Sequence, residues 1–84
     1  MNYAVNILRV AQKQLAKIDQ LQRERVTDAI FKLADNPRPP GCRKLSGRPA
    51  WRIRVGAYRV IYEIEDDRLI VLVVTIGDRK DVYR

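Results

Sequence analysis

Trp51-Arg52-Ile53-Arg54-Val55-Gly56-Ala57-Tyr58-Arg59-Val60-Ile61-Tyr62-Glu63-Ile64 is the stretch whose reading decides the fold. On both sides of Gly56-Ala57 the residues alternate in character with a period of two, the signature of a strand. A two-residue connection led by glycine has the length and chemistry of a type II′ hairpin turn. Placing Val55 opposite Tyr58 fixes the faces. One side carries Trp51, Ile53, Val55, Tyr58, Val60, Tyr62 and Ile64, and the other carries Arg52, Arg54 and Arg59. A slip of one residue would exchange the two sets, so burial of the apolar side specifies the register.

Working outward, Asp66-Asp67 reads as a turn into Leu69-Ile70-Val71-Leu72-Val73-Val74-Thr75-Ile76, which is apolar on both faces and is expected to be central in the sheet, ending at Gly77. Upstream, residues 37–49 have loop composition, with Leu45 as an anchor. Asn36-Pro37 stops a helix, because proline cannot continue it and pushes the preceding residue out of the α region. Val26, Ala29, Ile30 and Leu33 mark that helix, and Ala11, Leu15 and Ile18 mark an earlier one, with a break near Asp19-Gln20. Tyr3, Val5 and Ile7 alternate with polar or small residues as a short edge strand. The helices are expected to cover the apolar side of the hairpin. A chain of 84 residues makes one domain, 1–84, and buries only about 60% of its unfolded surface.

The net charge of +7 is local. Residues 36–62 hold Arg38, Arg43, Lys44, Arg48, Arg52, Arg54 and Arg59 and no acid, while residues 1–35 carry +2 and residues 63–84 carry −2. A patch of one sign concentrates polyanions and speeds their encounter, so nucleic acid is the leading partner class. Cys42 is alone and the chain has no histidine, which excludes a disulfide framework, a zinc site and a histidine acid/base relay. No signal-peptide pattern and no apolar run of about 18 residues is present, so the expectation is a cytoplasmic protein without a membrane partner.

Arg54 directly across from Arg59 costs roughly 0.2–1 kcal/mol as a like-charge pair. Solvation alone accommodates one such arginine. Three on one hairpin, beside a loop bearing Arg43, Lys44 and Arg48 with no acid to pair, point instead to an anion site, because guanidinium forks fit phosphate oxygens. Trp51, Tyr58, Tyr62 and Tyr3 read as packing residues. Lys13, Lys17, Arg23 and Arg25 read as solvated helix faces. Cys42 has no evident base, and Glu65-Asp66-Asp67 is ordinary turn chemistry, not a metal site. Arg79, Lys80 and Tyr83 lie in the polar tail, where the phenol of Tyr83 either donates to a phosphate or docks the tail.

Lys44-Leu45, Arg52-Ile53-Arg54-Val55, the G-x-Y-R-x-x-Y pattern over Gly56 to Tyr62, Gly77-Asp78-Arg79 and Val82-Tyr83 follow in an order that resembles the RelE branch of the RelE/ParE toxin superfamily over nearly the whole chain. The resemblance implies an α+β fold: a small antiparallel β-sheet with a two-helix hairpin packed on one face. It implies a type II toxin–antitoxin toxin that cleaves mRNA on the ribosome, with a cognate antitoxin protein as partner and no metal or other cofactor. Carried over by position, Arg52 and Arg54 match a basic pair near the attacking 2′-hydroxyl and scissile phosphate, and Arg59 matches the arginine that clamps the phosphate. Arg79 matches the residue that protonates the leaving 5′-oxygen, and Tyr83 the tyrosine that orients the nucleotide. Arg43, Lys44, Arg48 and Lys80 are then peripheral RNA contacts.

The chain departs from the pattern in having arginines where relatives commonly carry lysines, and no histidine near Asp78. A guanidinium is a poor general base, so the resemblance leaves the base unidentified. Two other functions compete with the nuclease reading: a ParE-like inhibitor of DNA gyrase, and a non-catalytic nucleic-acid-binding module.

Overall fold

In the computed structural model, the described residues are 2–78. They form β1 (Ala4–Ile7), α1 (Arg9–Ala16), α2 (Gln20–Lys32), β2 (Arg43–Lys44), β3 (Trp51–Val55), β4 (Tyr58–Glu65) and β5 (Ile70–Asp78), with the strands ordered β1-β5-β4-β3-β2. The hairpin has the expected register: Val55 faces Tyr58, Arg54 faces Arg59 and Trp51 faces Tyr62. Gly56 has φ 59 while Ala57 stays at negative φ, the II′ pattern. As expected, β1 is an edge strand and β5 an interior one.

Three features differ from the sequence reading. The sheet is mixed, because β1 runs parallel to β5 while the other pairs are antiparallel. Two helices between β1 and β2 carry the chain back across the sheet, the kind of long crossover a parallel pair needs. The segment read as loop contains β2, whose two residues pair as Arg43 with Arg52 and Lys44 with Trp51. A two-residue strand among prolines and glycines leaves no alternation to detect. Finally, β5 runs through Gly77 to Asp78.

Strand β5 is also out of phase with itself. Ile61 faces Thr75 while the next residue, Tyr62, faces Val73, which leaves Val74 as an extra residue in a bulge. In an unbroken strand Val73 and Ile76, three apart, would point to opposite faces. The bulge lets both join the core.

That core lies between the helices and one face of the sheet. Ala11, Ile18, Val26, Ile30 and Leu33 from the helical side pack on Ile53, Val60, Tyr62, Val71, Val73 and Ile76. The face assigned from the hairpin alternation is therefore the covered one. The corner between the helices is built by two side chains. Asp19 accepts from the Gln22 N–H at the start of α2, satisfying one of its orphan donors. Arg23 donates to the Ala16 and Ile18 carbonyls at the end of α1, so it caps a helix instead of being merely solvated.

Candidate active site

Register places four arginines on the sheet face away from the helices. Arg43 pairs with Arg52 across β2 and β3, and Arg54 pairs with Arg59 across β3 and β4. Directly opposed residues on antiparallel strands point to the same side with Cβ atoms roughly 5 Å apart. The next residue beyond Arg59 in its row is Gly77 on β5, which has no side chain, and the next beyond Arg52 is Ile61. Gly77 thus adds no side chain to the Arg54–Arg59 row on the β5 side.

The four guanidinium stems differ in environment. Arg52 and Arg59 are buried, at 6% and 3% exposure, whereas Arg43 and Arg54 are exposed. Solvation therefore does not account for the first two. Buried side chains lose rotamer freedom on folding, so these two are held in place by the fold.

A pocket of about 330 Å³ opens at the β3 edge, lined by Pro40, Gly41, Arg43, Arg52, Ile53 and Arg54. Its cause is local. Cys42 N–H donates to the Pro39 carbonyl at 3.0 Å, with Pro40 leading and Gly41 at φ 90, which is a type II turn. The turn keeps the chain away from β3 until Arg43, so pairing begins opposite Arg52 and β2 does not extend along Ile53 and Arg54. The Pro-Gly dipeptide was the sequence signal for this turn.

Arg38 does not belong to the anion site. Its guanidinium forks onto Asp66 at 3.1 and 2.9 Å, and lies 5.1 Å above the Trp51 ring. Tyr3 Oη donates to the same carboxylate at 2.7 Å. This corrects the expectation that no acid answers the basic stretch, and it gives the Asp66 turn a structural role. The Arg38 guanidinium, then the Tyr3 hydroxyl, hold the Asp66 carboxyl down at about 2, and in turn Asp66 raises the Tyr3 phenol. Tyr62 is buried as expected, and its hydroxyl donates to the Pro37 carbonyl at 2.7 Å. Burial first, and Cys42 nearby, push that phenol well above its ordinary value.

Lys44 and Arg48 are exposed in the loop, where the Lys44 ammonium donates to the Arg48 carbonyl at 3.2 Å. Arg79, Lys80 and Tyr83 lie outside the described residues. Of the site read from sequence, the structure brings together Arg43, Arg52, Arg54 and Arg59. Gly77 was read only as a strand end; a glycine inside a strand, where close approach is one reason for its presence, was the signal for its place beside Arg59.

A small mixed sheet with a helical pair on one face and arginines on the other defines a class, and the comparisons name it. The family model described as ParE toxin of type II toxin–antitoxin system, parDE, matches residues 5–83. A RelE-like toxin protein of Escherichia coli is 30% identical over 87 residues, covering 99% of this chain and 92% of the relative. The mRNA interferase toxin RelE of Escherichia coli K12 is 27% identical over 88 residues, with the same coverage. Among solved structures, the archaeal RelE–RelB complex from Pyrococcus horikoshii superposes with a TM-score of 0.85 at 25% identity, covering 96% of this chain and 99% of that one. The chain belongs to the ParE toxin family of type II toxin–antitoxin systems and is RelE-like within it.

Proposed function

We propose that this protein is a ribosome-dependent endoribonuclease that cleaves mRNA by attack of a ribose 2′-hydroxyl on the adjacent phosphodiester. The observation that carries the reading is the Arg54–Arg59 row with Gly77 beside it and Arg52 and Arg43 in the next row. A phosphodiester seated on Arg59, with Gly77 leaving room, meets guanidinium groups on two strands. The similarity to a protein named mRNA interferase toxin RelE supports the activity.

In the reaction the 2′-oxygen forms a bond to phosphorus while the bond from phosphorus to the 5′-oxygen breaks. The products are a 2′,3′-cyclic phosphate and a 5′-hydroxyl. Arg52 and Arg54 stabilise the 2′-oxygen as its proton leaves, and Arg59 neutralises charge developing on the phosphorane oxygens. Such preorganised donors are each worth about 10²–10³ in rate. Arg79 supplies the proton or hydrogen bond to the leaving 5′-oxygen, and Tyr83 orients the nucleotide. Lys44, Arg48 and Lys80 contact the RNA outside the reacting bond. The described site offers cationic side chains, which repel a metal ion, and this supports metal-independent cleavage. DNA, lacking the 2′-hydroxyl, resists it.

A neighbouring antitoxin completes the picture. The solved relative from Pyrococcus horikoshii is a complex with RelB. An acidic antitoxin segment covering the arginine face would block RNA by occupying its charges.

The test is to map RNA ends on translating ribosomes with the wild type and with Arg59→Ala, Arg79→Ala and Tyr83→Phe. Codon-phased cuts, lost in the variants, support the nuclease. The description of the matching family as ParE keeps one second reading in view. Inhibition of DNA supercoiling with intact mRNA would establish gyrase inhibition instead.

A further inference from the structure

We infer that Arg9, Lys13 and Lys17 on the outer side of α1 form a second nucleic-acid surface, which seats the phosphate backbone of ribosomal RNA; the inference rests on the nuclease reading. The three follow at i, i+4 and i+8, which stacks them along one side of a helix about 6 Å apart. Lys17, at the C-cap, keeps αR geometry and so stays in the row. Ala11, Leu15 and Ile18 turn the other side of α1 to the core, and all three cations are exposed. The +2 of residues 1–35 is unevenly divided. Residues 8–18 hold these three cations and no acid (+3), while residues 19–35 hold three basic and four acidic residues (−1).

Solvation is the ordinary account of cations on a helix, but this row works against the helix that carries it. Like charges at i, i+4 repel, and two such pairs follow in succession. Arg9 occupies the first helical position, where the macrodipole favours an anion, and Leu8 at the N-cap gives the first-turn N–H groups no side-chain acceptor. No acid answers the row. Glu24 and Asp28 on α2 are exposed, yet none of the three cations forms an ion pair or a hydrogen bond with a described residue. A bound polyanion offsets both costs. The arginine rows lie on the opposite side of the sheet from α1, so one phosphodiester cannot serve both surfaces. Flexible ammonium groups hold phosphates as point charges and read no base, which suits an RNA recognised by position instead of sequence.

The experiment uses the full chain with Arg9→Gln/Lys13→Gln/Lys17→Gln, and with Lys13→Arg/Lys17→Arg, which keeps the charge. Binding to purified ribosomes without mRNA is measured from about 50 to 200 mM salt, and kcat and KM on ribosome-bound mRNA by cleavage. For the glutamine variant we expect Kd to rise at least tenfold and the slope of log K against log salt to shrink by about 2–3, one phosphate contact per cation. KM should rise with Kd while kcat stays within twofold. The urea midpoint should hold or increase, since like-charge repulsion is removed. The arginine-for-lysine variant should match the wild type within threefold. Should the triple variant fail to fold, Lys13→Gln alone carries the comparison, with the slope reduced by about 1. Wild-type affinity and salt slope in the glutamine variant overturn the inference, as does a wild type that binds no ribosomes. It is overturned equally if the glutamine variant loses only its affinity for the antitoxin, which gives the row to a protein partner. A wild type that binds ribosomes and leaves mRNA intact refutes the nuclease reading separately, and Kd and the salt slopes still decide whether α1 binds RNA.

Discussion

Arg54 and Arg59 face one another across adjacent antiparallel strands, one exposed and the other buried at 3% exposure. Opposed like charges destabilise a sheet by roughly 0.2–1 kcal/mol, a cost that an anion on the exposed Arg54 would offset. Arg54→Gln should therefore raise the urea midpoint by an amount equivalent to a few tenths of a kcal/mol up to about 1, while lowering cleavage on ribosomes by about 100-fold. Denaturation and RNA-end mapping on one preparation check both. A variant that loses stability along with activity would contradict the assignment.

Asp66 gives the fold a pH dependence whose sign is fixed. Its carboxyl titrates near 2 in the folded chain against an ordinary 3.8, held down first by Arg38 and then by Tyr3. The unfolded state binds the proton more readily, so this contribution to stability is fully present well above 3.8 and is lost as pH falls toward 2. The stability difference between wild type and Asp66→Asn should be constant from pH 5 upward and shrink between pH 4 and pH 2. Denaturant titrations across that window measure it. Because the ion pair is solvent-accessible, added salt should also reduce the difference.

Tyr62→Phe removes one hydroxyl from the core and leaves the Pro37 carbonyl without the donor it now has at 2.7 Å. Losing one partner of a buried hydrogen bond costs about 1–3 kcal/mol. We expect a loss of that size with an unchanged denaturant slope, since the ring continues to fill its place against the helices.

Gly56→Ala should also destabilise. The turn requires φ 59 there, and the added Cβ would lie 3.2 Å from Gln22 Oε1. A left-handed residue other than glycine costs roughly 1–2 kcal/mol. The side chain of Gln22 can give way, so the double variant Gly56→Ala/Gln22→Ala should recover the steric part of the loss and leave the conformational part.

What was legible in the sequence was local periodicity. Gly56-Ala57 fixed the hairpin, and the alternation around it assigned the buried face correctly from Trp51 to Ile64. Asn36-Pro37 fixed the end of the second helix. Three things were not legible, each for a physical reason. Burial of Arg52 and Arg59 depends on what packs around the face away from the helices, which no strand pattern records. Arg38 finds Asp66 across 28 positions of sequence, a partnership created by folding alone. The bulge at Val74 interrupts a run apolar on both faces, where nothing in the residue types marks a change of phase.

That extra residue at Val74 divides β5 into two stretches with separate duties, one serving the hydrophobic layer beside β1, the other presenting Gly77 to Arg59. Deleting Val74 would place Val73 and Ile76 two apart on an unbroken strand, so both would keep their place in the core and Gly77 its place opposite Arg59. A graft between this protein and a relative can therefore carry β5 either bulged or one residue shorter, provided each stretch keeps its partners on β4.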